Sequence, residues 1–530
     1  MPRRLKHWGW GYEDEQPSNK EIRAAAAYIA EHIGFGSTEP ERPVPLAEVS
    51  LPAPRLIPPA SLAGICSTEI YDRALHSYGR SYRDVVRAFR GQFDHPPDVV
   101  AHPRDEAEVA AVLEWASDSG AAAIPFGGGT SVVGGVEPRV GDGYEGVVTI
   151  DLKRLDRVLE VDEVSLAARI QGGATGPGLE QQLAEHGLTL RHFPQSFEFS
   201  TLGGWIATRA GGHFATLYTH IDDLVESVRA LTPLGVWQSR RLPGSGAGVS
   251  PDRMLIGSEG TLGVITEAWM RVRRKPVHRA SAGVRFATFA AGAEAVRALS
   301  QSGLYPTNCR LIDPAEARLT GAGDGTHALL VLGFESADHD VQPWMSAALA
   351  CCVDFGGAWE RRGDEGAAGA DSVGSWRHAF LRAPYLRDTF VAMGVLSETF
   401  ETAVTWDRFP AFHGAVSERV QAAVTAVCGS GAVSCRFTHV YPDGPAPYFT
   451  ILAPARRGGE LEQWSEIKAA ASEAVLEHGG TITHHHAVGR DHRRWYDRQR
   501  PALFADALAA VKAAVDPRGA LNPGVLIDPE

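Results

Sequence analysis

Short apolar runs and amphipathic segments of helical length alternate through the middle of the chain. Val99–Val100 and Ala121–Phe126 have the length of buried strands, and Asp105–Ser119 between them carries apolar residues at helical spacing. Such alternation is typical of a mixed α/β region, which we expect from Pro97 to Pro276. The same pattern predicts three further strands in this region: Gly146–Asp151, Leu166–Ile170 and Val225–Leu231.

A second region, residues 280–479, combines strands with amphipathic helices. Ala328–Phe334 and Tyr448–Leu452 are short apolar runs that predict strands. Phe289–Ser300 and Ser417–Cys428 have the spacing of helices with one apolar face. The sequence contains no repeat of fixed period, so the two regions are not copies of one unit.

Helical patterns also occupy both ends of the chain. The Ala-rich segment Glu21–Ile33 predicts a helix, and Pro40–Pro59 is a linker punctuated by prolines. We expect one helix over Asp72–Phe93, with its charged residues on one face. At the other end, Arg500–Leu526 predicts a helix that stops at Asp516, one residue before a proline.

Glycine is concentrated in one part of the chain. The sequence has 57 glycines in 530 residues, and a flexible linker would carry such an excess as one continuous run. The spacing seen here predicts instead one ligand that the backbone approaches from several sides. The clusters are Gly127-Gly128-Gly129, Gly172-Gly173, Gly203-Gly204, Gly211-Gly212 and the group Gly257, Gly260 and Gly263.

The first cluster directly follows a predicted strand. The segment from Gly127 to Ser131 exposes successive backbone N–H groups, which can surround phosphate oxygens. No Lys follows the glycines, so this is not a Walker A loop, and the GxGxxG spacing of a βαβ dinucleotide fold is missing. Alone the loop fits an ordinary turn equally well, but beside the second glycine motif, Ser258–Gly263, it favours a dinucleotide.

Composition is that of an ordinary globular protein. Hydrophobic residues make up 44% and charged residues 22%, and the net charge of −13 argues against nucleic acid as the default partner. The 6 cysteines form no CxxC pair, so neither a zinc ribbon nor a disulfide framework is predicted. We expect no membrane span, because no run of about 18 apolar residues is present. We expect no secretory signal either, because no apolar segment follows the basic start of the chain.

Several long motifs resemble one known family. PFGGGTSVVGG (125–135), FEFSTLGGWIATRAGG (197–212), IDDLV (221–225) and IGSEGTLGVITEA (256–268) are similar to the flavin domain of the vanillyl-alcohol-oxidase, or FAD-linked oxidase, family. Within that family the chain resembles the alkyldihydroxyacetonephosphate synthases, and we expect it to be a bacterial-type member. The segments that carry this second resemblance are HWGWGYED (7–14), CRLID (309–313), YLRD (385–388), FETAVTWDR (400–408) and THHHAVG (483–489).

The resemblance implies an α+β fold with an FAD-binding PCMH-type domain. That domain consists of two α/β subdomains, and an α+β cap domain interrupts the flavin-binding part. The expected organisation is an N-terminal helical and linker region, the flavin domain, the cap or substrate domain, and a C-terminal active-site loop and helix that return to the flavin domain. The expected boundaries are 1–94, 95–278, 279–480 and 481–530.

The resemblance also implies the cofactor and its contacts. In some relatives a His within the pyrophosphate loop is bonded to the flavin, and Gly127–Gly135 contains no His, so we expect non-covalent FAD. The residues implied to contact FAD are Pro125, Gly127, Gly128, Gly129, Thr130, Ser131, Pro194, Ser196, Thr201, Gly204, Thr208, Arg209, Glu259, Gly260, Ile265 and, from the cap, Arg310.

The run His484, His485 and His486 is the most conspicuous polar cluster in the sequence. On a strand the first and third imidazoles would share a face. A metal site would need further ligands at suitable geometry, and a polar loop without function is the ordinary alternative. The resemblance favours an active-site loop against the flavin, in which neutral imidazoles take up a proton or orient a neighbouring acid or base.

Two further residues receive roles from the resemblance. Tyr448 begins an apolar strand, where most tyrosines are core residues, but in the synthases the matching Tyr is the catalytic acid or base. Arg387 matches an Arg that binds the acid group of the substrate, a role that suits a planar guanidinium. Without the resemblance, a surface ion pair would be the ordinary interpretation of Arg387.

The implied function is that of an ether-lipid synthase. Such an enzyme exchanges the acyl group of acyl-dihydroxyacetone phosphate for a fatty alcohol, through a covalent adduct at flavin N5 and with no net redox. The implied partners are therefore lipid substrates, and a long apolar tunnel beside the flavin would favour them over a small hydroxyacid. The sequence leaves a homodimer open, and we expect a cytoplasmic protein with peripheral membrane contact, since the chain ends in Ile-Asp-Pro-Glu and not in a peroxisomal signal.

The main alternative is an FAD-dependent oxidase or dehydrogenase of a 2-hydroxyacid or another small alcohol. Such dehydrogenases carry GHxGDGNxH and EHGxG segments, whose His and Glu side chains bind a metal. Here the corresponding stretches are THVYPDGPAPY (438–448) and HHHAVG (484–489), in which the second His of the first motif is missing and His485 replaces the Glu. The ending LNPGVL (521–526) is nevertheless similar to the dehydrogenases. A flavoprotein without catalytic activity would keep Tyr448 and the His run away from the flavin.

Overall fold

The structure is a computed structural model that describes residues 3–15, 18–214, 216, 220–359 and 385–528. Its strands form four sheets. In chain order they are β1 (Cys66–Ser67), β2 (Val99–Ala101), β3 (Ala122–Phe126), β4 (Val147–Asp151), β5 (Val158–Asp162), β6 (Ala167–Gln171), β7 (Leu188–Thr189), β8 (Val225–Thr232), β9 (Gly235–Gln238), β10 (Val264–Arg271), β11 (Arg273–Arg274), β12 (His278–Phe286), β13 (Asn308–Ile312), β14 (Ala328–Ser336), β15 (Val395–Glu401), β16 (Ala432–Val440) and β17 (Pro445–Pro454).

Helices cover these sheets and occupy both ends of the chain. The α-helices of the described residues are Asn19–Ile33, Ile70–Leu75, Tyr82–Phe89, Glu106–Asp118, Gly176–Ala184, Leu202–Thr208, Ile221–Leu224, Pro251–Leu255, Phe289–Gln301, Pro314–Leu319, Gln342–Asp354, 385–393, Phe409–Cys428, Glu460–Glu477, Arg493–Gln499 and Ala502–Val515. Short 3-10 turns lie at Glu13–Glu15 and Leu46–Glu48. Within the described part of the chain, no helix combines the length and apolarity that a membrane crossing requires.

The first sheet has the order β1-β2-β4-β3, and its two parallel pairs meet at β4. Because both faces of a parallel sheet are covered, β3 and β4 read as continuous apolar runs. The helix Glu106–Asp118 begins where the Asp105 side chain accepts a hydrogen bond from the Glu108 N–H, and its apolar face packs into the core of this sheet. The carboxyl end of β3 in this sheet leads directly into the first glycine cluster.

The second sheet is antiparallel, with the order β5-β6-β10-β8-β9, and a ribbon of β7 and β11 lies beside it. The helices Gly176–Ala184 and Leu202–Thr208 pack against it in one apolar core. Gly173 follows β6, and a Cβ at this position would collide with the backbone carbonyl of Leu152. This glycine therefore lets the second sheet lie directly against the turn that follows β4.

The third sheet is the six-stranded antiparallel sheet β12-β14-β13-β16-β17-β15. Side chains alternate between its two faces, as strand geometry requires. On one face Phe437, Phe449 and Phe400 pack beneath helices that include Phe409–Cys428 and Glu460–Glu477. On the other face polar side chains line a cavity, and they occupy every second position of the three strands concerned: Ser397 and Thr399 on β15, Arg436 and Thr438 on β16, and Tyr448 and Thr450 on β17.

The predicted continuous helix over Asp72–Phe93 is wrong, because the chain forms two helices there. Ile70–Leu75 ends at His76, and Tyr82–Phe89 starts anew with a capping box between Ser81 and Asp84. Between them Gly79 lies so close to the first glycine cluster that a Cβ would collide with the Ser131 carbonyl. Amphipathic spacing alone did not reveal this tertiary contact.

The C-terminal return depends on one buried cation. Lys512 lies on the helix Ala502–Val515 and is 2% exposed. Its Nζ donates to the Thr261 carbonyl at 2.8 Å, the Leu521 carbonyl at 2.7 Å and the Asp516 carboxylate at 2.6 Å. Since Thr261 belongs to the second glycine motif, these bonds join the end of the chain to the predicted flavin-binding region.

We therefore expect Lys512→Met to destabilise the protein by about 3–5 kcal/mol, because it leaves the Asp516 carboxylate buried without a cation. Urea denaturation followed by tryptophan fluorescence measures the shift. Lys20→Met is the matched control, since Lys20 is exposed on the N-terminal helix and should not move the midpoint. Equal midpoints for the two variants would show that the buried pair does not hold the C-terminal segment.

Candidate active site

The first glycine cluster forms a tight loop at the end of β3. A Cβ on Gly128 would collide with the Phe199 carbonyl, and Gly129 has a φ of +65°, which favours glycine. The Ser131 hydroxyl accepts a hydrogen bond from the Gly135 N–H at 3.0 Å and closes the loop. A side chain at these positions would prevent the backbone from lying this close to its neighbours. This is the close backbone approach that the glycine spacing predicts.

One cavity of about 510 Å³ joins this loop to the six-stranded sheet β12-β14-β13-β16-β17-β15, which we call the cap sheet. The cavity can accept a dinucleotide, because the glycine backbone forms one wall and the Thr201 hydroxyl beside it is buried with no hydrogen-bond partner among the described residues. An orphaned buried hydroxyl of this kind fits a phosphate or ring acceptor of FAD. The predicted cofactor residues that line the cavity are Gly127, Gly128, Gly129, Thr130, Ser131, Pro194, Ser196, Thr201, Gly204, Thr208 and Arg310.

The other predicted cofactor residues are not among those that line the cavity. Pro125 packs beneath Gly260, where a Cβ would come within 2.9 Å of its ring. Arg209 pairs with Asp222 at 2.8 Å. Ile265 is buried in β10. Their contacts to FAD stay predictions.

Glu259 connects the flavin region to the triple-His segment. Its two carboxylate oxygens accept hydrogen bonds from the backbone N–H groups of Val488 and Gly489, each at 2.8 Å. Its own backbone carbonyl accepts a bond from the Asn522 side chain at 2.7 Å. The side chain thus faces the segment that follows the histidines, and the predicted contact of Glu259 with FAD stays a prediction.

Tyr448 lies in the middle of a row of side chains across the cap sheet. It is the direct cross-strand partner of Glu401 on β15 and of Arg436 on β16, so the three side chains share one face. The Arg436 guanidinium lies 3.9 Å from the centre of the Tyr448 ring and pairs with the buried Glu316. This cation–π contact fixes the phenol at the cavity wall.

The triple-His segment is a loop wrapped around the Glu401 carboxylate. Glu401 accepts hydrogen bonds from the Thr483 hydroxyl at 2.6 Å and from the backbone N–H groups of His484, His485 and His486 at 2.5, 3.2 and 2.9 Å. Consecutive N–H groups can converge on one carboxylate only if the backbone curls. The strand-based expectation that the first and third imidazoles share a face is therefore wrong, and His485 and His486 line the cavity together.

The environment keeps the imidazoles neutral. Burial lowers the pKa of His485 to about 3 and holds the pKa values of His484 and His486 well below their ordinary value. Burial also disfavours the Glu401 carboxylate, but the hydrogen bonds from the Thr483 hydroxyl and from the loop backbone stabilise it, and its pKa is below the ordinary value. Each ring of the loop therefore offers a lone pair, and the Glu401 carboxylate places one fixed negative charge beneath the loop backbone.

His484 points away from the cavity into a second polar group. Its Nε2 lies 2.8 Å from the Tyr441 hydroxyl and 3.0 Å from His220 Nε2. Its Nδ1 lies 3.0 Å from His485 Nδ1. His439 packs against the His484 and His485 rings at centroid distances of 4.9 and 5.1 Å.

Arg387 and Arg310 reach the cavity from different sides. Arg387 lies on the helix 385–393 and donates to the Arg80 carbonyl at 2.6 Å. Arg310 lies on β13, is 2% exposed, and donates to the His213 carbonyl at 3.3 Å. Burial lowers the pKa of Arg310 to about 9. With Arg436, these side chains bring three guanidinium groups to one cavity, a site suited to an anion.

Sequence reasoning missed several of these residues. Glu401 lies in a motif that carries the resemblance, and its place two residues after Thr399 on a strand could have assigned it to the face of Tyr448. Arg436 was missed as well, because only the pairing of β16 with β17 sets it beside Tyr448. His220 and Tyr441 gave no such signal, because only the tertiary fold brings them to His484. His439 lies in the stretch compared with the dehydrogenase metal motif, but that comparison did not place it against His484.

Comparison with known proteins agrees with this architecture. Residues 97–239 match the family model of an FAD binding domain, and residues 275–526 match that of the C-terminal domain of FAD linked oxidases. A solved alkyldihydroxyacetonephosphate synthase superimposes with a TM-score of 0.81, at 26% identity and over 98% of both chains. A 4-ethylphenol oxidase from Gulosibacter chungangensis shares the fold with a TM-score of 0.70 at 14% identity. The fold and site thus define a flavoprotein of the FAD-linked oxidase class, and the predicted PCMH-type α+β architecture is confirmed.

Named relatives identify the family within this class to which the chain belongs. The alkyldihydroxyacetonephosphate synthase of Trypanosoma brucei brucei is 32% identical over 478 residues, which span 87% of this chain and 78% of the relative. That of Dictyostelium discoideum is 30% identical over 487 residues, or 86% and 77% of the two chains. The Bacillus subtilis glycolate oxidase subunit GlcD is 26% identical over 82% of this chain and 89% of the relative. The chain belongs to the alkyldihydroxyacetonephosphate synthase family of FAD-dependent enzymes.

The buried Glu259 predicts a pH dependence of stability. Burial raises its pKa from 4.5 to about 7, although the bonds from Val488 and Gly489 oppose this shift. At intermediate pH the folded protein keeps a proton that the unfolded chain has released, so this group's contribution to the free energy of unfolding falls as pH rises through this interval. A substitution that removes the carboxyl group removes this decrease in the free energy of unfolding.

We therefore expect Glu259→Gln to have a smaller loss of stability than the wild type between about pH 5 and pH 8, by on the order of 3 kcal/mol. The measurement is urea denaturation of both proteins at the two pH values. Only the difference between the two proteins is interpreted, because other buried carboxyls titrate in both. Identical pH slopes would contradict the raised pKa of Glu259.

Proposed function

We propose that the protein exchanges the acyl group of acyl-dihydroxyacetone phosphate for a fatty alcohol, and so forms an ether lipid. The observation that carries the proposal is the single cavity that contains the glycine loop, Tyr448, His485 and His486 together with an apolar extension. In the balanced reaction, acyl-dihydroxyacetone phosphate and a fatty alcohol give alkyl-dihydroxyacetone phosphate, a fatty acid carboxylate and one proton. No electron acceptor enters this balance.

The apolar extension supports lipid substrates. It runs from the cap sheet at Leu452 past Phe390 to the N-terminal helix, which contributes Ala25, Ile29 and Ile33. Such a wall stabilises an alkyl chain by about 0.8 kcal/mol for each buried CH₂ group. A small hydroxyacid would leave it unused, whereas an acyl or alkyl chain fills it. Delivery of such chains would bring the N-terminal helix to a membrane surface.

The cationic groups of the cavity support a phosphate-bearing substrate. Arg310, Arg387 and Arg436 all line it, and a guanidinium binds phosphate oxygens with paired, charge-assisted hydrogen bonds. We assign the phosphate to the region between Arg436 and Arg310, because Arg436 also contacts Tyr448. Arg387, to which the family resemblance assigns the acid group of the substrate, adds a third guanidinium to the same cavity.

FAD occupies the other wall in this proposal. Residues 95–278 bind it non-covalently, since the loop Gly127–Gly135 contains no His, and residues 279–480 form the cap over it. When bound, FAD would supply N5 as an attachment point for C1 of the substrate during the exchange, with no net redox. The substrate C1 must therefore lie between the flavin wall and the row that contains Tyr448.

The protein's own residues handle the protons. Tyr448 is positioned to remove the C1 proton and to return one, because its ring is held by Arg436 at the cavity wall. His485 and His486 lie beside it, with ring centroids at 6.1 and 5.5 Å. Their neutral imidazoles can accept the proton that the attacking alcohol gives up. The buried surroundings exclude the water that would otherwise hydrolyse the activated substrate.

Purified protein should be yellow, and denaturation should release its flavin. Heat or acid denaturation followed by ultrafiltration should place intact FAD in the filtrate, identified by mass. The reason is that the described loop offers backbone and hydroxyl contacts to the cofactor and no His to bond it. Flavin that stays with the polypeptide would contradict non-covalent binding, and colourless protein would contradict FAD binding itself.

The exchange itself should proceed without an electron acceptor. We expect labelled fatty alcohol to enter the ether product when the enzyme is mixed with acyl-dihydroxyacetone phosphate alone. Tyr448→Phe should lower this rate by at least about 100-fold, since it loses the proton-transfer group, while FAD content stays unchanged. Thin-layer chromatography of the labelled lipid measures the product.

The matched control is Tyr144→Phe, because the Tyr144 hydroxyl bonds the Gly519 carbonyl far from the cavity lining. Its exchange rate should equal that of the wild type. Turnover of a 2-hydroxyacid that requires an added electron acceptor, with no labelled ether formed, would favour the dehydrogenase alternative over the synthase.

A further inference from the structure

The exchange reaction leaves one proton to be removed in each turnover. The fatty alcohol gives up its hydroxyl proton, and the fatty acid leaves as a carboxylate at neutral pH, so the proton must reach solvent from a cavity that excludes water. Tyr448, His485 and His486 lie at the cavity wall, where Tyr448 is buried and each of the two imidazole side chains is 15% exposed. The following inference rests on the proposed function and concerns the route of this proton.

We propose that His484, Tyr441 and His220 form a proton-transfer path from His485 to the protein surface. The path is continuous in the structure. His485 Nδ1 lies 3.0 Å from His484 Nδ1, and the other ring nitrogen of His484 lies 2.8 Å from the Tyr441 hydroxyl and 3.0 Å from His220 Nε2. The Tyr441 hydroxyl in turn lies 2.6 Å from His220 Nε2.

The surface end fixes the direction of every hydrogen bond. His220 Nδ1 lies 3.2 Å from the Arg209 carbonyl, which can only accept, so a neutral His220 carries its proton on Nδ1 and accepts at Nε2. Tyr441 then donates to His220, and His484 donates from Nε2. His484 Nδ1 is therefore the acceptor for the proton on His485 Nδ1. Each group accepts on its cavity side and donates on its surface side.

This arrangement allows transfer without a long-lived buried charge. A proton that arrives at the cavity side of His485 displaces the Nδ1 proton to His484, and each following group passes one proton on in the same way. His220 is partly exposed and can release the last proton to water. Because burial lowers the pKa values of His484 and His485, both of these rings are neutral and hold one lone pair before transfer.

Packing holds the path in place. The Glu401 carboxylate fixes the backbone of His484 and His485 through their N–H groups. His439 covers both rings, and its own Nε2 bonds the Gly212 carbonyl at 3.2 Å. Gly211 makes this possible, because a Cβ there would lie 2.6 Å from His439 Nε2. The three path residues act through His485 and are positioning residues for the proposed reaction.

The same histidines could be considered as metal ligands. One nitrogen each of His439, His484 and His485 lies within 4.8 Å of the others. However, within this trio His484 Nδ1 and His485 Nδ1 lie 3.0 Å apart and His439 Nε2 bonds the Gly212 carbonyl, whereas two ligands at about 2.0–2.1 Å from one tetrahedral zinc ion lie farther apart than 3.0 Å. The geometry therefore favours hydrogen-bonded transfer, and metal binding is an outcome that the experiment must detect.

The test uses the FAD-loaded full chain and the acceptor-free exchange assay. We expect His220→Ala to lower kcat by about 10-fold or more with KM for acyl-dihydroxyacetone phosphate unchanged, and added imidazole to restore kcat in a saturable manner. His220→Gln keeps a hydrogen-bonding side chain but cannot pass a proton through two ring nitrogens, so it should be as slow as His220→Ala. Tyr441→Phe should lower kcat less than the His220 variants do, because His484 still contacts His220 directly.

The control is His186→Ala, since His186 is a surface residue paired with Glu163 and should keep wild-type kcat. FAD content and the visible circular dichroism of the flavin report whether a variant is folded. Full activity of both His220 variants, or a loss that imidazole does not restore in a folded variant, would overturn the path. A stoichiometric metal in the wild type would also overturn it. A wild type without acceptor-free exchange would instead refute the proposed function, and the path with it.

Discussion

The active-site region depends on one buried carboxylate. Glu401 ends a strand of the cap sheet, and its two oxygens accept three successive backbone N–H groups and one hydroxyl from the triple-His loop. A carboxylate without these bonds would be strongly disfavoured at this depth, and the loop without the carboxylate would leave its N–H groups unsatisfied. The two groups therefore require each other, and together they place two imidazoles in the cavity and one behind it.

The flavin side holds the same loop from the opposite direction. Glu259 accepts the N–H groups of Val488 and Gly489, just after the histidines, while Glu401 accepts those of the histidines themselves. Hydrogen bonds to this one loop therefore fix the position of the glycine-rich wall relative to the cap sheet. This is why a cavity lined from residues more than 300 positions apart, such as Gly127 and Tyr448, can have a defined shape.

Local patterns predicted the parts of this site that local physics determines. The strand before Gly127 and the glycine excess indicated close backbone approach, and the long motifs carried the flavoprotein fold. Arg436 was not among these parts, because it shares a face with Tyr448 through the pairing of two strands and not through alternation along one. The orientation of the His run could not be predicted this way, because it depends on Glu401 from a distant strand. The break in the predicted helix near Gly79 has a similar cause, since it arises from a contact with Ser131.

A crystal structure of the FAD-bound protein with acyl-dihydroxyacetone phosphate would test the central claim most directly. The account predicts flavin density against Gly127–Ser131, phosphate density between Arg310 and Arg436, and the acyl chain along the helix Asn19–Ile33, with C1 within reach of the Tyr448 hydroxyl. Lipid density outside this cavity, or a flavin ring on the far side of the sheet from Tyr448, would contradict it.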